Sequence, residues 1–153
     1  MSNIFDDSEM FTSAASAMHY IANYIRSASS DDLKWCKIGT FGIYIGDPGS
    51  RYGFTCKNGG YDLFSALHWN DIPTVVNTGY TDIVETKKAA KIVTGAFPNV
   101  TVHIRAGMHA KYVLLSNGFG MIGSANVGDS HWMDISIVGH LSADGYNRLN
   151  VLP

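Results

Sequence analysis

Asn117-Gly118 stands between two apolar, β-prone runs in the stretch from Met108 to Asn126, MHAKYVLLSNGFGMIGSAN. No other short feature restricts the fold as much, because Asn-Gly flanked by such runs is the strongest local signal of a tight β-hairpin. Both residues tolerate the positive φ of a type I′ turn, so a two-residue turn is expected. It pairs Ser116 with Phe119, Leu114 with Met121 and Tyr112 with Gly123. Continued outward, the register sets Lys111 opposite Ser124 and His109 opposite Asn126. Opposed residues share one side of a sheet, with Cβ atoms about 5 Å apart, and so do residues two apart on a strand. His109, Lys111, Ser124 and Asn126 are therefore expected to converge at the open end of the hairpin. The deduction depends on the turn, since a slip of one residue would scatter them.

An imidazole, an ammonium, a hydroxyl and a carboxamide supply donors and a nucleophile or base, with no carboxylate among them. That set suits a tetrahedral oxyanion such as phosphate. A divalent metal would want oxygen ligands or several imidazoles, so neither metal nor cofactor is expected. Gly107 and Gly123 would let backbone come close to the anion.

The rest of the chain supplies the sheet such a hairpin needs. Phe11, Ala15, Met18, Ile21 or Ala22, and Ile25 recur at helical spacing, with Asp6 to Ser8 as candidate caps and His19 beside the stripe as a packing or surface residue. Trp35 to Gly46 (WCKIGTFGIYIG) predicts one buried strand, Tyr61 to Trp69 a short helix, and Pro73 to Thr78 another strand. Asp82-x-x-Glu85 resembles a capping box opening a helix whose inner stripe is Ile83, Ala90, Val93 and Phe97. Asn99 to Arg105 and Asp134 to Val138 complete the strands. Helices alternating with buried strands predict an α/β sandwich, with residues 1–153 forming a single domain.

Hydrophobic residues make up 46% of the 153 and charged ones 16%, which places the chain among globular proteins. A net charge of −2 argues against broad electrostatic attraction to nucleic acid or anionic membrane, though a local patch would escape that argument. Such a patch could include Arg51 and Lys57 in the glycine-rich loop; Lys87, Lys88 and Lys91 on the capped helix read as a solvated face, with a phosphate-backbone role as the alternative. The only cysteines, Cys36 and Cys56, suit buried hydrophobes better than a disulfide framework or zinc site. The acidic N-terminus MSNIFDDSEM lacks the features of a signal peptide, and no apolar run reaches the ~20 residues of a membrane span. A soluble, cytoplasmic protein is expected.

His109-x-Lys111 followed by Gly123-Ser124-x-Asn126 resembles the HKD motif of the phospholipase D superfamily, H-x-K-x4-D-x6-G-S-x-N, including the spacing between its halves. The resemblance implies a phospholipase D-like sandwich with a mixed, largely parallel sheet flanked by helices. It also implies metal-free phosphodiester cleavage through a phosphohistidine, with lysine, serine and asparagine holding phosphate oxygens. Ser116 departs from the family pattern, which has aspartate there. An acidic residue downstream of GSxN orients the histidine in the family; Asp134 is the candidate here, with Asp129 second.

The chain holds one motif. His19, His68, His103, His131 and His140 have no Lys two residues on, and His103-x-Arg105 comes nearest. A short single-motif chain resembles the small bacterial endonucleases of the family, which build one site across a two-fold dimer. The implied enzyme is a homodimeric nuclease of DNA or RNA, with His109 as nucleophile and Lys111, Ser124 and Asn126 on the phosphate; at a net charge of −2 its substrate contacts would depend on local clusters such as Arg51 and Lys57. A phosphodiesterase for a small or lipid substrate would better suit the mild charge and the aromatic loop at Tyr52 and Phe54. A non-catalytic dimeric phosphate- or nucleic-acid-binding module is the third alternative. His131 and Trp132 could line the rim, although Trp132 fits packing better.

Overall fold

A computed structural model describes residues 3–28, 31–44, 58–128 and 134–153. Its first element is a strand, β1 (Phe5–Phe11), where the sequence suggested the cap and start of a helix. Asp6 to Ser8 therefore cap nothing. Helix α1 (Ala14–Ser27) begins at Ser13, whose side chain accepts from the Ser16 amide. Apolar residues at three- and four-residue spacing put Ala14, Ala17, Met18, Ile21, Ala22 and Ile25 inside. The stripe was legible, but its first member, Phe11, belongs to the strand.

Trp35 to Gly46 is broken at Phe41-Gly42 into β2 (Cys36–Thr40) and β3 (Ile43–Tyr44), which lie in different sheets. Helix α2 (Gly59–Trp69) follows, capped by Asn58, and then β4 (Thr74–Thr78). Asp82 caps α3 (Ile83–Ala96), its side chain accepting from the Val84 and Glu85 amides, an arrangement worth about 1 kcal/mol. Glu85 bonds Lys88 (3.3 Å). The inner face of α3 centres on Ala89, Val93 and Phe97, with Ile83 and Ala90 half-buried at its margin. Strand β5 (Val100–Ile104) leads to the hairpin β6 (Tyr112–Leu115) and β7 (Phe119–Gly123), then β8 (Val127–Gly128), β9 (Ser136–Leu141) and α4 (Ala143–Asn150).

Seven strands form one sheet in the order β1-β9-β7-β6-β2-β4-β5, and β3 pairs with β8 in a two-stranded ribbon. The sheet is mixed but mostly antiparallel, correcting the expectation of a largely parallel one. Only β2, β4 and β5 run parallel, because only their connections carry the crossover helices α2 and α3. The joins β2–β6, β6–β7, β7–β9 and β9–β1 are antiparallel.

Helices α1, α2 and α3 share a core with one face of the sheet, where Ile21, Ile38, Leu63, Phe64, Leu67, Val76, Val113 and Met121 meet. Each large side chain fully buried there contributes roughly 1.5–3 kcal/mol. A smaller cluster of Met108, Tyr112, Leu114, Leu141 and Leu149 lies on the opposite face, with α4 supplying Leu149. Cys36 is free and fully buried, and burial pushes its thiol pKa up. Cys56 lies outside the described residues. Among the described residues no helix is long and apolar enough to cross a membrane.

The hairpin forms, with a register one residue away from the expected one. Tyr112 pairs with Ile122, Val113 with Met121 and Leu114 with Gly120. A type I′ turn needs positive φ at both central residues, yet only Gly118 (φ 92°) has it; Asn117 does not. The loop is therefore Ser116-Asn117-Gly118, closed by the Gly118 amide on the Leu115 carbonyl (2.9 Å). This is the three-residue arrangement in which a left-handed glycine follows a type I turn. Ser116 has its own work in that loop: its hydroxyl accepts from the amides of Lys34 (2.7 Å) and Trp35 (3.4 Å).

Candidate active site

The carboxyl ends of β2, β4 and β5 lie at one edge of the sheet, together with the start of β6, the end of β7 and the start of β9. In open α/β sheets this is where ligands bind. The chain from Arg105 to Lys111 crosses this edge between β5 and β6. The Arg105 amide is tied to Thr78 O (2.8 Å), and the Met108 amide returns to Arg105 O (3.2 Å). Gly79 makes the crossing possible, because a Cβ there would lie 2.1 Å from the Met108 carbonyl oxygen.

That crossing delivers His109 and Lys111. The Lys111 Nζ lies 3.3 Å from His109 Nδ1 and donates to the His109 carbonyl at 3.1 Å. The Phe41 ring packs against the imidazole, centroids 4.8 Å apart and planes inclined by 39°, and Lys111 Nζ is 5.8 Å from the same ring's centre. An aromatic face attracts such a cation and restricts where the two side chains can go. The sequence reading missed Phe41 by running one strand through it. Nothing local to WCKIGTFGIYIG singles Phe41 out.

Asn126 meets Phe41 at its backbone. Its Oδ1 accepts from the amides of Phe41 (2.9 Å) and Gly42 (3.1 Å) and lies 3.2 Å from Thr40 Oγ1. With its oxygen committed to the β2–β3 link, the amide orientation is settled and Nδ2 is left as a donor. Thr40, fully buried, also receives the Val127 amide at 3.0 Å and donates to Gly42 O at 2.7 Å.

Ser124 sits differently. In the observed register the residue opposite Lys111 is Gly123, whose amide donates to Lys111 O (3.3 Å). Ser124 turns toward β9, where its Oγ donates to Asp134 Oδ1 (3.2 Å) and accepts the Ile135 amide (3.0 Å). Three members of the expected quartet thus gather around Phe41, and the fourth is paired with the aspartate. Among the described residues no hydrogen bond joins Asp134 to His109. Arg51, Lys57, Tyr52, Phe54, Asp129, His131 and Trp132 lie outside the described residues. Lys87, Lys88 and Lys91 are exposed on α3. No group of three or more His, Cys, Asp or Glu side chains able to hold a metal occurs among the described residues.

No protein-family model matches the sequence, and no curated protein does. Structure is more informative. One solved structure superposes over 94% of this chain and 89% of its own, with a TM-score of 0.61 at 15% sequence identity. The fold is similar to that of NucT from Helicobacter pylori. The likeness to NucT supports the phospholipase D-like fold expected from the motif. At this identity it is a likeness of fold. The archaeal chromatin protein TrmBL2 also superposes, over 95% of this chain and 49% of its own, with a TM-score of 0.56 and 5% identity.

Proposed function

We propose that the chain is a metal-independent phosphodiesterase, a nuclease acting through a phosphohistidine in a site shared between two copies. The observation that carries this reading is the grouping of His109, Lys111 and Asn126 around Phe41 at the strand ends. They supply a nucleophile and a cation beside the Phe41 ring and a neutral donor held at its backbone. The fold similarity to NucT, a nuclease of the phospholipase D superfamily, adds support.

In the present arrangement Lys111 approaches Nδ1 of His109, which leaves Nε2 to face a substrate. Attack requires a lone pair on Nε2, so the ring proton must sit on Nδ1. Lys111 must then leave Nδ1, and an arriving phosphate oxygen is the natural acceptor for it. The Nε2–P bond forms as the P–O bond to the leaving group breaks. His109 of the partner subunit protonates that oxygen, then takes a proton from water, whose attack breaks the P–N bond. Lys111 and the Nδ2 of Asn126 hold non-bridging oxygens as charge builds. The two imidazoles must therefore start in opposite protonation states, one as nucleophile and one as acid.

Ser116 in place of the family's aspartate does not weaken the proposal. It lies five residues along the strand from Lys111, about 17 Å at ~3.3 Å per residue. Its hydroxyl serves the Lys34 and Trp35 amides, a task any oxygen acceptor performs.

A second reading, a nucleic-acid-binding module without catalysis, is favoured by the likeness to TrmBL2, whose structure is described as showing a mode of DNA binding. Incubation with DNA and RNA in EDTA separates the two. Cleavage by the wild type and none by His109→Ala supports the nuclease. Loss of cleavage on adding EDTA sinks the metal-free mechanism, and binding without cleavage under any condition favours the module. If only a generic aryl phosphodiester is hydrolysed, the substrate is a small molecule. Light scattering tests the shared site, which an active monomer contradicts.

A further inference from the structure

On the sheet face opposite α1, α2 and α3, a groove of about 300 Å³ runs over β2, β4 and β5, lined by Trp35, Lys37, Val75, Asn77, His103 and Arg105 among others. Its upper end is built from His103-x-Arg105, which the catalytic proposal leaves unused. Parallel pairing puts His103 directly beside Asn77. Asn77 is almost wholly buried, and its Oδ1 accepts from Arg105 Nε at 2.7 Å. That bond anchors the guanidinium at Nε. It leaves the two terminal nitrogens of Arg105 and the amide nitrogen of Asn77 as donors, with the exposed His103 beside them. Lower in the groove, Lys37 Nζ donates to the carbonyls of Asn150 (2.9 Å) and Leu152 (2.6 Å). No carboxylate side chain lines the groove.

Pro153, the last residue, also lines the groove, but with no Asp or Glu side chain there the preset donors suit a phosphate. The upper end of the groove and His109 are also near each other along the chain. Arg105 and Met108 close a turn, so their Cα atoms are under about 7 Å apart, and His109 is one step of ~3.8 Å further. The Arg105–His109 Cα separation is therefore at most about 11 Å, a span that a strand of a few nucleotides covers.

We infer that Asn77, His103 and Arg105 form a phosphate subsite that grips the backbone of a nucleic-acid strand a few nucleotides from the one at His109. This rests on the nuclease reading for its substrate, and the groove supplies the second contact. A strand bound at the edge of the sheet continues over the Arg105–Met108 turn onto the reverse face. The subsite adds affinity that grows with substrate length.

The test measures binding by fluorescence anisotropy on the His109→Ala protein, with labelled single-stranded DNA of two and of about eight nucleotides. Arg105→Ala is expected to weaken the longer strand about tenfold, the loss of one charged hydrogen-bonded contact. It should also lower the salt slope by about one. The dinucleotide, too short to reach both places, should bind unchanged. His103→Ala should act in the same direction, and Arg105→Lys should restore part of the affinity. Equal weakening of both lengths, or of neither, overturns the subsite. Cleavage by the otherwise unaltered chain is scored separately. An inactive protein with length-dependent, Arg105-dependent binding would refute the nuclease and keep the groove, whereas an active one lacking that dependence would do the reverse.

Discussion

The side-chain oxygen of Asn126 lies 2.9 Å from the backbone nitrogen of Phe41, so one residue of the motif is held by the main chain of a distant strand end. The same oxygen also takes the Gly42 amide and approaches Thr40 Oγ1. Asn126→Asp keeps an acceptor for those donors but puts a negative charge where the amide donor stood. The variant should fold, with a cleavage rate about 10²–10³-fold lower. Asn126→Ala leaves the amides without their acceptor and should also cost about 1–3 kcal/mol. Rates and urea unfolding of both variants check the distinction.

Gly79 controls how closely the segment carrying His109 lies on the sheet. In Gly79→Ala the new methyl would meet the Met108 carbonyl at 2.1 Å, and backbone on one side must move. His109 is the next residue, and an error of about 1 Å in a reacting group can cost 10²-fold in rate. Single-turnover kinetics should show a fall of that order. An unchanged rate would mean that the crossing does not set the imidazole.

Ser116→Ala should destabilise the protein by about 1–2 kcal/mol, because the Lys34 and Trp35 amides lose their acceptor at the entry to β2. Ser116→Asp should retain most of that stability. Turnover should stay close to wild type in both, since the hydroxyl lies at the other end of β6 from Lys111. Denaturation midpoints and rates measured together separate the two effects.

Asp62 on α2 bonds His19 Nδ1 (2.6 Å) on α1 and also pairs with Arg26. Partial burial raises its carboxyl pKa, but the hydrogen bonds and charges of Arg26 and His19 outweigh that and hold it below the ordinary value. A depressed carboxylate stabilises the fold above its unfolded pKa of ~3.9, and that contribution is lost as pH falls through the lower, folded value. Wild type should therefore lose stability below about pH 4 more steeply than Asp62→Asn, which should already be weaker at neutral pH. Urea titrations at a series of pH values check both the sign and the window.

What the sequence revealed and what it hid follow from where each signal resides. The stripe of α1 and the Asp82 cap of α3 depend on residues within a turn or two, so both were legible. Strand β1 was not: its FDDSEMF is mostly exposed and earns its place only by pairing with β9, over a hundred residues away. The Asn-Gly pair located the hairpin but not its register, because that register also reflects Ser116 reaching across to Lys34. The motif spacing pointed to His109, Lys111 and Asn126, whereas Phe41 and Thr40 meet them through the fold. No pattern local to either would have shown it.

The dependence of Asn126 on the Thr40–Gly42 backbone bears on how the proposed site could be moved between proteins. The motif occupies one contiguous hairpin, which makes it look portable. A graft of 109–126 alone would carry the right side chains with nothing to orient the carboxamide, and that side chain would be free to turn its oxygen toward an incoming anion. The smallest transferable unit is two pieces of chain, 40–42 together with 109–126, and any scaffold meant to receive them must already hold those pieces side by side.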